Sequence, residues 1–101
     1  MDTTKRIYIS GKITGDPDYL AKFERAEADL SRIGFTSILN PAKVNKNLPE
    51  DFNHKEYMEV SIAELRCCQA VYMLRDWKDS KGATIEKAFA ENLGKEIFYQ
   101  V

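Results

Sequence analysis

Ser80, Gly82 and Glu86 form the part of this sequence best suited to chemistry. The apolar spacing predicts a helix from about Ser80 to Leu93, and the first N–H groups of a helix have no partner within it. A hydroxyl and a small residue at that point suit the binding of an anion. Glu86 lies about one turn further on, and Ala90 and Leu93 follow it on the stripe that should face the sheet. A carboxylate there, kept ionised by the positive end of the helix, could act as a nucleophile.

The first loop, from Ser10 to Gly15, offers a second set of candidate binding groups. Gly11 and Gly15 would let backbone N–H groups approach an anion or a sugar closely. The loop matches neither GxGxxG nor GxxxxGK[ST], so the sequence supports neither a Rossmann dinucleotide site nor a P-loop. The alternative is an ordinary turn, and the loop alone does not decide between the two.

Two aromatic residues, Tyr8 and Trp77, lie beside these segments in the sequence. Either could stack on a planar base or flank a sugar, and either could equally pack in the core. Glu86 also has a plainer interpretation, which is a surface ion pair with Lys87 or Lys95. Periodicity alone leaves these alternatives open.

Short apolar runs alternate with helical patterns along the chain. The first helix should have Asp16 as its N-cap and Pro17 as its first residue, and Gly34 should end it. After Asn40 and Pro41 the sequence predicts a polar connection to about residue 53. The predicted strands cover residues 5–10, 35–39, 70–74 and 96–100, and the predicted helices cover residues 16–33, 54–68 and 80–93.

This alternation predicts one α/β domain over residues 1–101, with helices on both faces of a parallel sheet. We expect four strands in the order 2-1-3-4, which is a small flavodoxin-like three-layer sandwich. Ligands of open α/β sheets bind at the carboxyl ends of the strands, where the strand order reverses. That crevice should collect the first loop, Asn40 and the segment from Asp76 to Glu86.

Composition and charge exclude several classes of partner. Fifteen basic residues against sixteen acidic ones give a net charge of −1, so no field attracts a nucleic acid polymer or a membrane. We see no apolar stretch long enough for a signal peptide or a membrane span, and we expect a cytoplasmic protein. Cys67 and Cys68 are adjacent and should stay reduced. The only histidine, His54, should be solvated, and we expect neither a metal site nor a cofactor.

Motifs spread over nearly the whole chain resemble the small phage and bacterial relatives of the nucleoside 2-deoxyribosyltransferases. The related 2′-deoxynucleoside 5′-phosphate N-hydrolases carry similar Tyr-x-x-Gly-x-Ile-x-Gly and Ser-x-Gly-x-x-x-Glu motifs. The segments that carry the resemblance are Ile7-Tyr8-Ile9-Ser10-Gly11-x-Ile13-x-Gly15, Asn40-Pro41, Leu74-x-x-Trp77-x-x-Ser80-x-Gly82-Ala83-x-x-Glu86 and Ala90-x-x-x-Gly94-Lys95.

The resemblance implies an N-glycosidase that acts on deoxynucleosides or their 5′-monophosphates. Glu86 would attack the anomeric carbon, with Tyr8 as a second catalytic residue, and water or an acceptor base would resolve the intermediate. Ser80, where the transferase branch usually has aspartate, would help to bind a 5′-phosphate. The other expected substrate-binding residues are Ser10, Gly11, Gly15, Asn40, Asp76, Trp77 and Gly82.

The sequence departs from the family pattern at two acidic positions. The family commonly has aspartates in the middle helix and before the third strand, and Ser61 and Gln69 occupy those positions here. Losing a general acid costs about 10²–10⁴-fold in rate, although Asp76 or Asp79 could take over the role. The alternatives are a non-catalytic nucleotide-binding module and a protein that keeps only the fold. Since family members commonly complete their sites with a neighbouring subunit, we expect a homo-oligomer.

Overall fold

A computed structural model describes residues 1–101 as a four-stranded sheet with helices around it. The strands are β1 (Ile7–Ser10), β2 (Ile38–Leu39), β3 (Ala70–Met73) and β4 (Glu96–Tyr99). The helices are α1 (Tyr19–Ile33), α2 (Pro41–Asn45), α3 (His54–Arg66) and α4 (Lys81–Asn92), and a 3₁₀ turn at Trp77–Asp79 precedes α4. None of the helices combines the length and the apolar character needed to cross a membrane.

All four strands are parallel, and their order is β2-β1-β3-β4, which confirms the predicted topology. Ile7 of β1 is paired with Ile38 of β2 on one side and with Ala70 of β3 on the other. The strand order therefore reverses between β1 and β3. Their carboxyl ends, at Ser10 and Met73, meet at the edge of the sheet where a ligand crevice is expected.

Successive side chains of β1 point to opposite faces of the sheet, and β1 is buried on both. Ile7 and Ile9 belong to the core cluster that includes residues of α1, whereas Tyr8 belongs to the cluster that includes residues of α3 and α4. Ser10, two residues after Tyr8, lies on the same face as Tyr8. The α1 residues in the first cluster are Phe23, Ala26 and Leu30, and the α3 and α4 residues in the second are Leu65, Ala83 and Ala90.

Helix α1 begins at Tyr19, three residues after the predicted N-cap at Asp16, so that part of the prediction is wrong. Asp16 lies instead in a turn, where its N–H donates to the Ile13 carbonyl at 3.1 Å. Its carboxylate accepts from the Asp18 N–H at 2.9 Å and pairs with the Lys22 ammonium. These contacts hold Asp16 and Pro17 outside the helix. Gly34 ends the helix as predicted, with a φ of 125° that suits glycine.

The segment after the first helix also differs from the prediction. Strand β2 contains only Ile38 and Leu39, and helix α2 occupies the start of the expected polar connection. The Asn40 side chain caps α2 by accepting from the Ala42 N–H at 3.0 Å, and Pro41 takes the first helical position. An asparagine cap followed by a proline is an ordinary signal for a helix start, whereas the sequence prediction placed only a polar connection after these two residues.

Candidate functional site

Ser80 and Gly82 begin helix α4 at the carboxyl end of the sheet. The Ser80 hydroxyl accepts from the Ala83 N–H at 3.1 Å, so it caps the helix. A Cβ built on Gly82 would lie 3.2 Å from Sδ of Met58 and 3.9 Å from Cε1 of His54. Glycine at position 82 therefore lets α3 approach the first turn of α4 closely.

Glu86 points into the protein, and its side chain is only 6% exposed. The Tyr8 hydroxyl donates to its Oε2 at 2.6 Å, and the Ser10 hydroxyl donates to its Oε1 at 2.7 Å. The alternative of a surface ion pair is not formed, because Lys87 pairs with Glu91 and Lys95 donates to a backbone carbonyl. Two hydroxyls from the central strand thus hold the carboxylate in a fixed orientation.

The local sequence explains how these three side chains meet. Tyr8 and Ser10 alternate with Ile9 along β1, so both hydroxyls lie on the face that α4 covers. Glu86 and Ala90, four residues apart on α4, are both buried against the same face. The carboxylate therefore reaches β1 where the strand ends, directly before the first loop.

Burial and hydrogen bonding act on the Glu86 carboxyl in opposite directions. Burial raises its pKa, whereas the hydroxyls of Tyr8, Ser10 and Ser61 lower it, and the net shift is upward. Burial and the charge of Glu86 raise the pKa of Tyr8 well above its ordinary value. Tyr8 consequently stays protonated at neutral pH and acts as a hydrogen-bond donor to Glu86.

A cavity of about 690 Å³ opens beside Glu86 at the carboxyl ends of the strands. This volume lies within the range of about 300–1,000 Å³ that is usual for small-molecule sites. Loop residues after β1, the first two turns of α3 and the start of α4 form its walls. The lining residues are Gly11, Ile13, Thr14, Tyr19, Asn45, His54, Tyr57, Met58, Ser61, Asp79, Ser80, Lys81, Gly82, Ala83 and Glu86.

The structure brings together one part of the predicted site. The cavity is lined by Gly11, Ser80, Gly82 and Glu86. Tyr8 and Ser10 do not line it, but their hydroxyls donate hydrogen bonds to the Glu86 carboxylate. Gly15 does not line the cavity, although its φ of 80° requires the conformational freedom of glycine. The first loop is therefore both a turn at Gly15 and a wall of the cavity at Gly11.

Three other predicted binding residues lie outside the cavity beside Glu86. Asn40 caps α2 and donates to Glu27 at 3.1 Å. The Trp77 ring is partly buried against the core cluster of α3 and α4 and lies 6.2 Å from the Tyr99 ring. Asp76 accepts from the Lys12 N–H at 3.1 Å and lines a second cavity instead. None of the three side chains lines the cavity beside Glu86.

Helix α3 supplies cavity residues that the sequence reasoning did not select. His54, Met58 and Ser61 recur at intervals of four and three residues, so they share one face at the start of the helix. His54 is exposed, as expected, but it lines the cavity. The sequence places Met58 on one apolar stripe with Ile62 and Leu65, so its spacing predicts a core-facing residue and gives no separate signal for a cavity.

The two positions where the resemblance implies acidic residues lie in different places. Ser61 lines the cavity and is 6% exposed. Gln69 lies directly before β3, at the opposite end of the sheet, where its side chain accepts from the Arg6 N–H at 3.0 Å. Only Ser61 therefore occupies a position from which an acid would face a ligand beside Glu86.

Glu64 is a second carboxyl group close to Glu86. Both of its oxygens are buried without a hydrogen-bond partner, which is rare for an acidic side chain. Burial and the charge of Glu86 raise the pKa of Glu64 to about 7. Near neutral pH the region around Glu86 can therefore gain or lose one proton at Glu64.

Together the parallel sheet, the cavity and the buried Glu86 define an α/β protein with a cavity where the strand order reverses. The chain belongs to the family described as Domain of unknown function (DUF4406), whose model matches residues 5–99. No curated protein matches the sequence.

Proposed function

We propose that this protein is an N-glycosidase that acts on deoxynucleosides or their 5′-monophosphates. The observation that carries the proposal is Glu86, a buried carboxylate held by two hydroxyls at the wall of a cavity of about 690 Å³. The resemblance of the Tyr8–Gly15 and Ser80–Glu86 segments to the nucleoside 2-deoxyribosyltransferase superfamily gives the substrate class.

The proposed reaction has two displacement steps at the anomeric carbon. A Glu86 oxygen forms a bond to that carbon while the bond to the base nitrogen breaks, and the electron pair leaves with the base. Water or a second base then forms a bond to the same carbon while the bond to the Glu86 oxygen breaks, which regenerates the carboxylate, and the proton of the attacking group passes to the residue that protonated the departing base. Tyr8 and Ser10 orient the carboxylate in the first step and stabilise its returning charge in the second.

The departing base must receive a proton, and Asp79 is our candidate donor. It lines the cavity, whereas Asp76 is held by Lys12 and Lys22 beside the other cavity. Ser61 occupies the position where the nucleoside 2-deoxyribosyltransferases commonly have an aspartate. We expect Asp79→Asn to slow the release of base by about 10²-fold or more.

The start of α4 favours a substrate with a 5′-phosphate. The N–H groups of Lys81 and Gly82 have no backbone acceptor, and both residues line the cavity. A phosphate there would meet the positive end of the helix, the Lys81 side chain and the His54 ring. We therefore expect deoxynucleoside monophosphates to be better substrates than deoxynucleosides.

The test is to incubate the protein with each deoxynucleoside and each deoxynucleoside 5′-monophosphate and to measure free base by chromatography. We expect base release by the unmodified protein and none by Glu86→Ala. Glu91→Ala is the matched control, because Glu91 lies on the same helix but is exposed. Equal base release by Glu86→Ala would refute the role of Glu86.

The second candidate is a nucleotide-binding module that does not cleave its ligand. Ser61 favours a binding module, because a serine at the cavity wall cannot act as the acid that the nucleoside 2-deoxyribosyltransferases commonly have at this position. A binding module would show thermal stabilisation by a deoxynucleotide together with no free base after long incubation. Base release would exclude it.

We also propose that the protein is a cytoplasmic homo-oligomer. Strand β4 is an edge strand, and its residue Tyr99 is 50% exposed, so one side of the sheet is open to pairing. Cys67 and Cys68 are both free thiols, which fits a reducing compartment. Light scattering after size-exclusion chromatography tests the oligomeric state, and a mass of one chain would overturn the proposed homo-oligomer.

A further inference from the structure

A second cavity, of about 550 Å³, lies on the α1 face of the sheet. Helix α4 connects β3 to β4 across the other face, and on the α1 side Tyr72 of β3 and Phe98 of β4 are only partly buried. The cavity forms in the space between α1 and the carboxyl ends of these strands. Its lining residues are Lys22, Arg25, Ala28, Asp29, Arg32, Leu74, Arg75, Asp76 and Gln100.

This cavity shares no lining residue with the cavity beside Glu86. The close packing of Gly11 against Leu74 separates them, because a Cβ on Gly11 would lie 2.7 Å from Cδ1 of Leu74. A ligand in one cavity would therefore not contact the walls of the other.

The second cavity is strongly cationic. Four basic and two acidic side chains line it, a local charge of +2 (four minus two) in a chain whose net charge is −1. Lys22 pairs with Asp16 and Asp76, and Arg32 pairs with Asp29.

Two guanidinium groups in the cavity have no partner. Arg25 and Arg75 form no ion pair and no side-chain hydrogen bond within the protein. Arg25 lies on α1, and Arg75 directly follows Leu74 after β3, so two different elements hold them at one cavity. Both side chains are exposed, and an anion that binds in the cavity would be attracted by both positive charges.

We propose that the second cavity binds a small molecule with two or more linked phosphate groups. Each guanidinium offers a planar pair of N–H donors that fits two phosphate oxygens. A chain of linked phosphates carries several negative charges and can bind more than one guanidinium group, and the cavity volume suits a ligand of that size. The phosphate chain can be free or part of a nucleoside triphosphate, since the recognition chemistry is the same.

The experiment is calorimetric titration of the full chain with sodium tripolyphosphate, and in parallel with deoxyadenosine triphosphate and with citrate. Arg25→Gln/Arg75→Gln removes the two unpaired charges. Lys46→Gln/Lys78→Gln is the matched control, because it removes two exposed charges that line neither cavity. A single Ser80→Ala variant reports on the other cavity.

We expect tripolyphosphate to bind, with its affinity about tenfold or more weaker in the double arginine variant and unchanged in the other two variants. If deoxyadenosine triphosphate also binds, and only the double arginine variant weakens its binding, the site accepts nucleotides as well. No binding of tripolyphosphate, equal weakening in the lysine control, or citrate binding as tightly as tripolyphosphate would overturn the proposal. Nucleotide binding that only Ser80→Ala weakens would place the nucleotide in the other cavity and restrict the site to free polyphosphate.

Discussion

Replacing Tyr8 by phenylalanine removes one hydrogen-bond donor from Glu86 and leaves the aromatic ring in the core. The hydroxyl lies 2.6 Å from Oε2 of Glu86, and Tyr8 is 1% exposed, so no water can take its place without rearrangement. A buried hydrogen bond to a charged group contributes about 1.5–3 kcal/mol. We expect Tyr8→Phe to lose stability of that order above neutral pH.

The loss should depend on pH, because it is the ionised form of Glu86 that needs the donor. Burial already raises the pKa of folded Glu86 above its unfolded value, so ionisation weakens the fold as pH rises from about 4.5. Without the Tyr8 hydroxyl the folded pKa rises further, and this penalty grows. At pH 4, where the carboxyl is protonated in both states, the variant should lose much less stability.

The assay is urea denaturation of both proteins at pH 4 and pH 8, with thermal denaturation as a second measure. For a domain of this size, 1.5–3 kcal/mol corresponds to a fall in Tm of roughly 6–24 °C. Tyr72→Phe is the control, because Tyr72 lies on the neighbouring strand with its side chain in the other core cluster and no hydrogen bond. An equal loss at both pH values would refute the reasoning, as would no loss at all.

Three further substitutions test separate parts of the structure. Gly11→Ala should lower the free energy of unfolding by about 1–3 kcal/mol in urea, since its Cβ would lie 2.7 Å from Leu74 and force that side chain to move. Asn40→Ala should cost about 1 kcal/mol in the same assay through loss of the α2 cap, and no change would contradict the capping role. Glu64→Gln should gain stability relative to the unmodified protein as pH rises from 4.5 to about 7, because the pKa of folded Glu64 is about 7 and its ionised form disfavours the fold. A stability difference between the two proteins that stays the same at every pH would contradict the raised pKa of Glu64.

The sheet was predictable because its strands are short apolar runs with helical patterns between them. The run from Ala70 to Leu74 indicated a central strand, and β3 lies between β1 and β4. The first helix start was less predictable, because Asp16 makes its contacts with Lys22 and Asp18 in a turn before the helix. Side-chain contacts of this kind compete with local capping signals, and the sequence alone does not rank them.

The candidate site was predictable in the residues of α4 and less so elsewhere. The spacing from Glu86 to Ala90 indicated an inward carboxylate, and both side chains are buried. Its two hydroxyl partners come from a strand 76 and 78 positions away, so they depend on how the helix docks on the sheet. Trp77 shows the opposite case, since it lies beside the site in sequence but its ring packs near Tyr99, outside the cavity.

A covalent bond between Glu86 and the sugar can be detected by intact-mass and peptide mass spectrometry. The protein is mixed with a deoxynucleoside monophosphate, quenched in acid within the first turnovers and digested. We predict a deoxyribosyl 5-phosphate adduct on the peptide that contains Glu86, and no adduct on the same peptide of Glu86→Gln. Free base released without any adduct on Glu86, or released equally by Glu86→Gln, would contradict the account.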